Sequence, residues 1–257
     1  MVGDRRVLSL APRHLSNMLL SIGDVPRALP LVEEALAVSR EEGSKREIAW
    51  NLGALGATLA SAGQWEAVES PLMESIVVGR QSGDITPVLA SSRSLARLYL
   101  MRGDLAGARR TVDEALALAG QDLRLPIHTD LLITLGDLAS ADQDWDGAGD
   151  WYRQALSAAS LVATRGIIAH ALRHYAAMCG MCGALRLAVR IFGATSPIHG
   201  FSATMFDLAA AEDHVLVAAR RALGEDEFAV AWAEGQSITL EQATAEVLSE
   251  DSKKIQR

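Results

Sequence analysis

Apolar and small residues recur along this chain at separations of mostly three, four or seven, the spacing of one helix face, and the pattern returns every 40 residues. Sliding the sequence on itself by that step aligns five segments on Gly23, Gly63, Gly103, Gln143 and Gly183. Eight positions earlier stand Leu15, Leu55, Leu95, Leu135 and Tyr175, and four earlier stand Leu19, Leu59, Tyr99, Ala139 and Cys179. Seven earlier, every residue is small: Ser16, Gly56, Ala96, Gly136 and Ala176. Two positions after the anchor come Val25, Trp65, Leu105, Trp145 and Leu185. Five after it come Ala28, Val68, Ala108, Ala148 and Ala188, and nine after it Val32, Leu72, Val112, Tyr152 and Phe192.

Each unit therefore reads as two amphipathic helices joined at the anchor. The small columns let the pair approach closely, and the large ones fill the space between pairs. Glycine at the anchor supplies the left-handed residue that ends a helix. Asp24, Asp104 and Asp144 stand next to the anchor, where each can cap the following helix. Pro87 and Pro126 fall in predicted first turns, which tolerate a missing N–H. The fourth unit is the least regular, with Gln143 for glycine and Ala139 in a large column. Beyond the fifth unit, "ATSPIHG" interrupts the pattern with Pro197 and Gly200. A helix is predicted from about Ala203 to Leu223, with Phe206, Leu208, Val215, Leu216 and Ala219 on its apolar side and Gly224 at its end. A short helix follows with Phe228, Val230, Ala231 and Trp232 as bulk, then a break at Gly235. In the last helix Thr239 and Gln242 form a capping box, with Ile238 placed to staple onto Ala243. The expected organisation is all-α: five helix pairs over residues 1–200, and a helical cap with a polar tail over 201–257.

Composition narrows the function classes. The 257 residues are 49% hydrophobic but only 5% aromatic, and leucine and alanine prevail, which suits helices and a sizeable core. A net charge of −8 argues against a surface for nucleic-acid phosphates. Two cysteines cannot build a disulfide framework, which fits a reducing compartment. No apolar run reaches the ~18 residues of a membrane span, and the first residues lack the apolar core of a secretion signal. A cytoplasmic protein is expected, without membrane contact.

The columns resemble the tetratricopeptide pattern. The second unit matches in "NLGALGATLASAGQWEAV", through Leu55, Gly56, Leu59, Gly63 and Val68. The third matches in "SLARLYLMRGDLAGARRTVDEAL", through Leu95, Ala96, Tyr99, Gly103, Ala108 and Ala115. The likeness covers roughly residues 8 to 195, with a period of 40 rather than about 34 and without the family's closing proline. It implies a right-handed superhelical solenoid whose concave face binds partners. The family's ligand positions fall here on Arg13, Asn17, Trp50, Arg93, Arg97, Asp130, Asp137, His170 and Arg173. Two readings stand: solvated residues pairing across helices, or a groove for a charged peptide or loop. Arg13 and Asn17 echo part of a carboxylate clamp, but its other positions fall on Ala54, Ala90 and Ser94, which cannot grip a carboxylate in the same way.

A second resemblance lies in the C-terminal region. "RIFGA", a spacer and "ARRALGEDEFAVAWAEGQSITLEQATAEVL" resemble the end of large bacterial regulators. These join a signal-transduction ATPase to a tetratricopeptide-like tail, often with a LuxR-type helix-turn-helix beyond. The resembling residues are Arg190 to Ala194, Arg221 to Gly224, Phe228, Ala231 to Gly235 and Leu240 to Ala243. The resemblance implies a lid on the last repeat and a non-enzymatic module for signal sensing and protein interaction. The expected partner is a protein or peptide, or neighbouring domains of the same regulator. No phosphate-binding G-x-x-x-x-G-K-[ST] stretch occurs and no DNA-reading module follows, so a piece of a longer regulator or a shortened relative is expected. The alternatives are a free-standing adaptor bridging proteins, and a small-molecule receptor with an inter-helix cavity.

Candidate chemistry is sparse. His170, His174, Cys179 and Cys182 are zinc-ligand types, yet Cys179 lies about 140° around the helix from His174 and belongs to a core column. Asp142, Asp144 and Asp146 alternate like a calcium loop but lack its distal glutamate. Glu225, Asp226 and Glu227 suit the positive end of a helix dipole. Trp65 and Trp145 read as packing residues. Ser196, His199 and Asp207 lack a nucleophile elbow. No active site, metal or cofactor is expected.

Overall fold

The computed structural model describes residues 3–120, 126–162, 164–198 and 206–249, without the side chains of 3–10, 162, 206 and 207. Every element among them is an α-helix. Two compact units divide the chain at Gly120.

The first unit holds three hairpins: α1 (Gly3–Ser21) with α2 (Val25–Glu41), α3 (Lys45–Ser61) with α4 (Trp65–Ser82), and α5 (Ile85–Met101) with α6 (Leu105–Ala119). Each first helix packs on its own second helix, and α3 and α5 also pack on the second helix before them. The predicted columns are the contacts. Ala28, Val68, Ala108, Val32, Leu72 and Val112 are all buried. Gly56 is small for a stated reason: a Cβ there would lie 2.5 Å from Leu72. Ser16 fills the same place in the first hairpin by donating to the Ala28 carbonyl at 3.0 Å. On the outside, Arg40 pairs with Glu74 and Arg80 with Glu114, the same rung one repeat apart.

All five hairpin turns close alike. At the second, the Gly63 N–H donates to the Ala60 carbonyl at 3.0 Å and the Gln64 N–H to the Leu59 carbonyl at 2.9 Å. That is the double bond of a Schellman turn, and it requires the residue between to be left-handed. The anchors oblige, with φ of 79° at Gly23, 71° at Gly63, 76° at Gly103 and 96° at Gly183. Gln143 adopts φ 60° without glycine's freedom, so the fourth turn carries strain. Asp104 and Asp144 cap as expected, accepting from the N–H groups of Gly107 and Gly147. The glycines leave room for them, since a Cβ at either would lie 2.2 or 2.1 Å from the carboxylate. Asp24 does not cap. Its third neighbour is Arg27, whose guanidinium takes the carboxylate at 3.1 Å. Pro87 occupies the first turn of α5, and α7 opens on Pro126.

The second unit contains α7 (Pro126–Ala141) with α8 (Trp145–Val162), α9 (Arg165–Met181) with α10 (Leu185–Thr195), then α11 (Phe206–Leu223), α12 (Glu225–Gln236) and α13 (Leu240–Ser249). Here Gly136 faces Tyr152, whose ring would stand 2.4 Å from a Cβ. The last three helices pack on α9 and α10. Leu208, Val215, Ala219, Phe228 and Ala231 are buried there, and Gly224 ends α11 with φ 81°. Val230, expected as bulk, is instead exposed. The expected break at Gly235 is also corrected, because that residue lies inside α12 and is buried. A Cβ at Gly235 would sit 2.0 Å from the Arg190 carbonyl oxygen, and one at Gly193 would sit 2.5 Å from the Trp232 carbonyl oxygen. Glycine here serves close backbone approach rather than a turn. Three arginines of the fifth hairpin add charge: Arg173 pairs with Glu212, Arg186 with Glu227 and Glu234, and Arg190 with Glu246. The Thr239–Gln242 capping box forms in both directions, at 2.8 and 3.2 Å. The predicted helix start at Ala203, Gly200, His199 and the polar tail beyond Ser249 lie outside the described residues.

Candidate functional site

In the first unit the expected ligand positions come from α1, α3 and α5. Arg13 and Asn17 lie one turn apart on α1, as Arg93 and Arg97 do on α5. Asn17 is exposed, and Trp50, Arg93 and Arg97 are half-buried. Arg13 is buried and reaches the equally buried Glu47 of α3 at 3.0 Å. Its guanidinium also lies 5.4 Å from the centre of the Trp50 ring, within cation–π range. Beyond the ring, Asp84 accepts from Arg46 Nε at 2.8 Å, while the Trp50 Nε1 stands 3.4 Å away. The same carboxylate caps α5 through the Thr86 N–H at 3.0 Å. Burial pushes the Asp84 carboxyl up, but Thr86, Trp50 and Arg46 together hold it below its ordinary value. Trp50 thus meets the Arg13 guanidinium over its ring and the Asp84 carboxylate at its Nε1 edge.

Glu47, Arg46 and Asp84 were not among the expected site residues. Arg46 and Trp50 are four apart on α3, a spacing that signals a shared face. The pairings with Arg13 and Asp84 cross 34 and 38 positions of sequence, and only the tertiary register reveals them.

In the second unit the expected positions gather between α7, α8 and α9, with a different character. Asp130 and His170 are buried, and Asp137 is half-buried. One oxygen of Asp137 accepts from the Tyr152 hydroxyl and lies 2.8 Å from His174 Nδ1; both contacts measure 2.8 Å. Burial first, and then the negative Asp137, push the Tyr152 phenol well above its ordinary value, so it stays protonated and donates. The tautomer that fits carries its proton on Nδ1 and leaves the buried Nε2 of His174 without a partner among the described residues. The His170 ring stands edge-on to His174, 4.7 Å between centres. Arg173 points instead to Glu212 of α11, through two hydrogen bonds. The Asp–His–Tyr set holds three helices together, and nothing in it presents a nucleophile.

Cys179 is fully buried, and the Cys182 thiol donates to the Cys179 carbonyl at 3.3 Å. Burial pushes the Cys182 thiol up, away from the thiolate that redox or metal chemistry requires. Among the described residues, no three His, Cys, Asp or Glu side chains gather as a metal site. Ser196 donates to the Gly193 carbonyl, while His199 and the Asp207 side chain lie outside the described residues. No helix among the described residues is long and apolar enough to cross a membrane.

The fold is shared with solved structures. A kinesin-light-chain-like protein of Podosopora anserina, built of nearly identical TPR-like repeats, superposes with a TM-score of 0.53 at 15% sequence identity. The match covers 86% of this chain and 100% of that one. A single-residue variant of that protein matches with the same figures. The chain therefore has a TPR-like helical-repeat fold. No protein-family model and no curated protein matches the sequence.

Proposed function

We propose that this chain is a non-enzymatic protein-interaction module that binds a peptide or loop against the first helices of its repeats. The observation that carries the reading is the platform on α1, α3 and α5. Trp50 carries the Arg13–Glu47 pair over its ring and the Arg46–Asp84 pair at its Nε1 edge, with Asn17 on α1 and Arg93 and Arg97 on α5. Aromatic and arginine side chains fixed in advance lose little freedom on binding, and they dominate the energetics of interfaces.

The likeness of the C-terminal region to bacterial ATPase and LuxR-type regulators supports a place within, or beside, such a regulator, with the module passing a binding event to neighbouring domains. In that reading α11–α13 act as a lid that seals the last hairpin, and the protein works in the cytoplasm.

The binding reading is tested by selecting phage-displayed peptides on the intact chain. The enriched peptides are then measured against Trp50→Ala and the Arg93→Ala, Arg97→Ala double variant. Affinity should fall by about ten-fold or more in each, as for hot-spot truncations. Unaltered affinity in both variants discards the platform as the binding face. A contiguous P-loop ATPase reading frame beside the gene would support the regulator context, and its absence would favour an adaptor.

A further inference from the structure

We propose that the second unit binds a small, uncharged, planar aromatic molecule in the cavity bounded by the α7–α8 turn, the end of α9 and α11. The site is separate from the peptide-binding positions on α1, α3 and α5, and it stands whether or not those are used.

The cavity measures about 530 Å³, within the range of small-molecule sites, and it lies between helices of one compact unit. One wall is fixed by close packing. A Cβ on Gly180 would lie 2.2 Å from Val215, so α11 rests directly on the last turn of α9. The turn opposite is where the repeat leaves its own rule. Gly23, Gly63, Gly103 and Gly183 supply the left-handed residue of the other four hairpin turns. Gln143 takes φ 60° instead, and among the described residues no other non-glycine residue has a positive φ. Glycine would form the same turn without the strain. What glutamine adds is a carboxamide at the cavity's edge, and strain of this kind gathers where a ligand is held.

The lining sets the chemistry of the occupant. No lysine, arginine, aspartate or glutamate is among the described residues that line it, so a charged ligand would shed its water without meeting a counter-charge. Trp145 brings a half-buried indole, and Met181 and Val215 bring a thioether and branched methyl groups. All three are favourable neighbours for an aromatic ring. Hydrogen-bonding groups come from two elements: the Gln143 amide and the Trp145 N–H from the turn, and the His214 imidazole from α11. A ligand that carries both a donor and an acceptor on a flat ring uses them together. Two turns of a helix about 10–12 Å wide need more room than this, so a single small molecule fits better than a docked helix.

The test screens the full chain by fluorine NMR against neutral fluorinated bicyclic aromatic amides, each beside its matching carboxylate. Saturable binding of a neutral amide is expected, with its carboxylate about ten-fold weaker or silent. Trp145→Ala should weaken the amide about ten-fold or more. Ala218→Phe, and Ala141→Trp at the exposed end of α7, should each block it while circular dichroism shows unchanged helicity. Gln143→Gly should weaken binding several-fold while raising the midpoint of urea unfolding, a split that a purely structural turn residue would not give. No saturable binding by the neutral amides, equal binding by the carboxylates, or binding retained in both blocked variants overturns the proposal.

Discussion

The first and the fifth hairpin are built to one pattern but finished differently. Around α9 and α10 three further helices close in, with Gly193 and Gly235 bringing backbones together and three arginines each reaching an acid. On α1 the equivalent apolar column meets solvent. What holds α1 is internal: the buried Arg13–Glu47 pair ties it to α3, and Ser16 ties it to α2. A repeat unit can thus be secured in two ways. One covers its outer face with apolar and backbone contact, and the other anchors its inner face by a desolvated charge.

The largest expected effect breaks the charge anchor. Glu47→Gln leaves Arg13 buried without a counter-charge and should lower the unfolding free energy by about 3–5 kcal/mol. Urea denaturation followed by circular dichroism measures it, and a loss near zero would mean that the pair is effectively solvated. Next comes the covered end. Gly235→Ala forces a methyl against the Arg190 carbonyl and should cost about 2–3 kcal/mol. Limited proteolysis should then cut first in α12 or α13, and an unchanged cleavage pattern would refute the close backbone contact. The smallest change sharpens the comparison by acting on neither end. Gln143→Gly relieves a left-handed non-glycine turn and should stabilise the chain by about 1 kcal/mol, visible as a raised midpoint in the same titration.

Much of the fold was legible because its constraints are local. A Schellman turn demands a left-handed residue, so the glycines at fixed intervals marked the hairpins directly. Columns that pack within a pair must be small or large in register, as Gly56 against Leu72 and Gly136 against Tyr152 show. Gly235 was misread because a glycine that admits another backbone is indistinguishable, in one sequence, from a glycine that ends a helix. Asp24 was misread because Arg27 competes for its carboxylate, whereas Gly107 and Gly147 leave the other two caps unopposed. At the candidate site, the first-helix positions followed from the family resemblance, although all of them but Asn17 are buried or half-buried. The counter-charges did not, since Glu47 and Asp84 reach their partners only through the stacking of hairpins. Nor did periodicity show that Asp137 and His174 would meet across α7 and α9.

The left-handed turns join partners that are neighbours along the chain, and this bears on how the chain acquires its form. Each hairpin closes a short loop, at a modest entropic cost that the next hairpin does not raise. A unit of such hairpins has a low contact order and can grow outward from whichever pair forms first. An emerging polypeptide can then build its repeats in the order they leave the ribosome, with each new pair completed on the last.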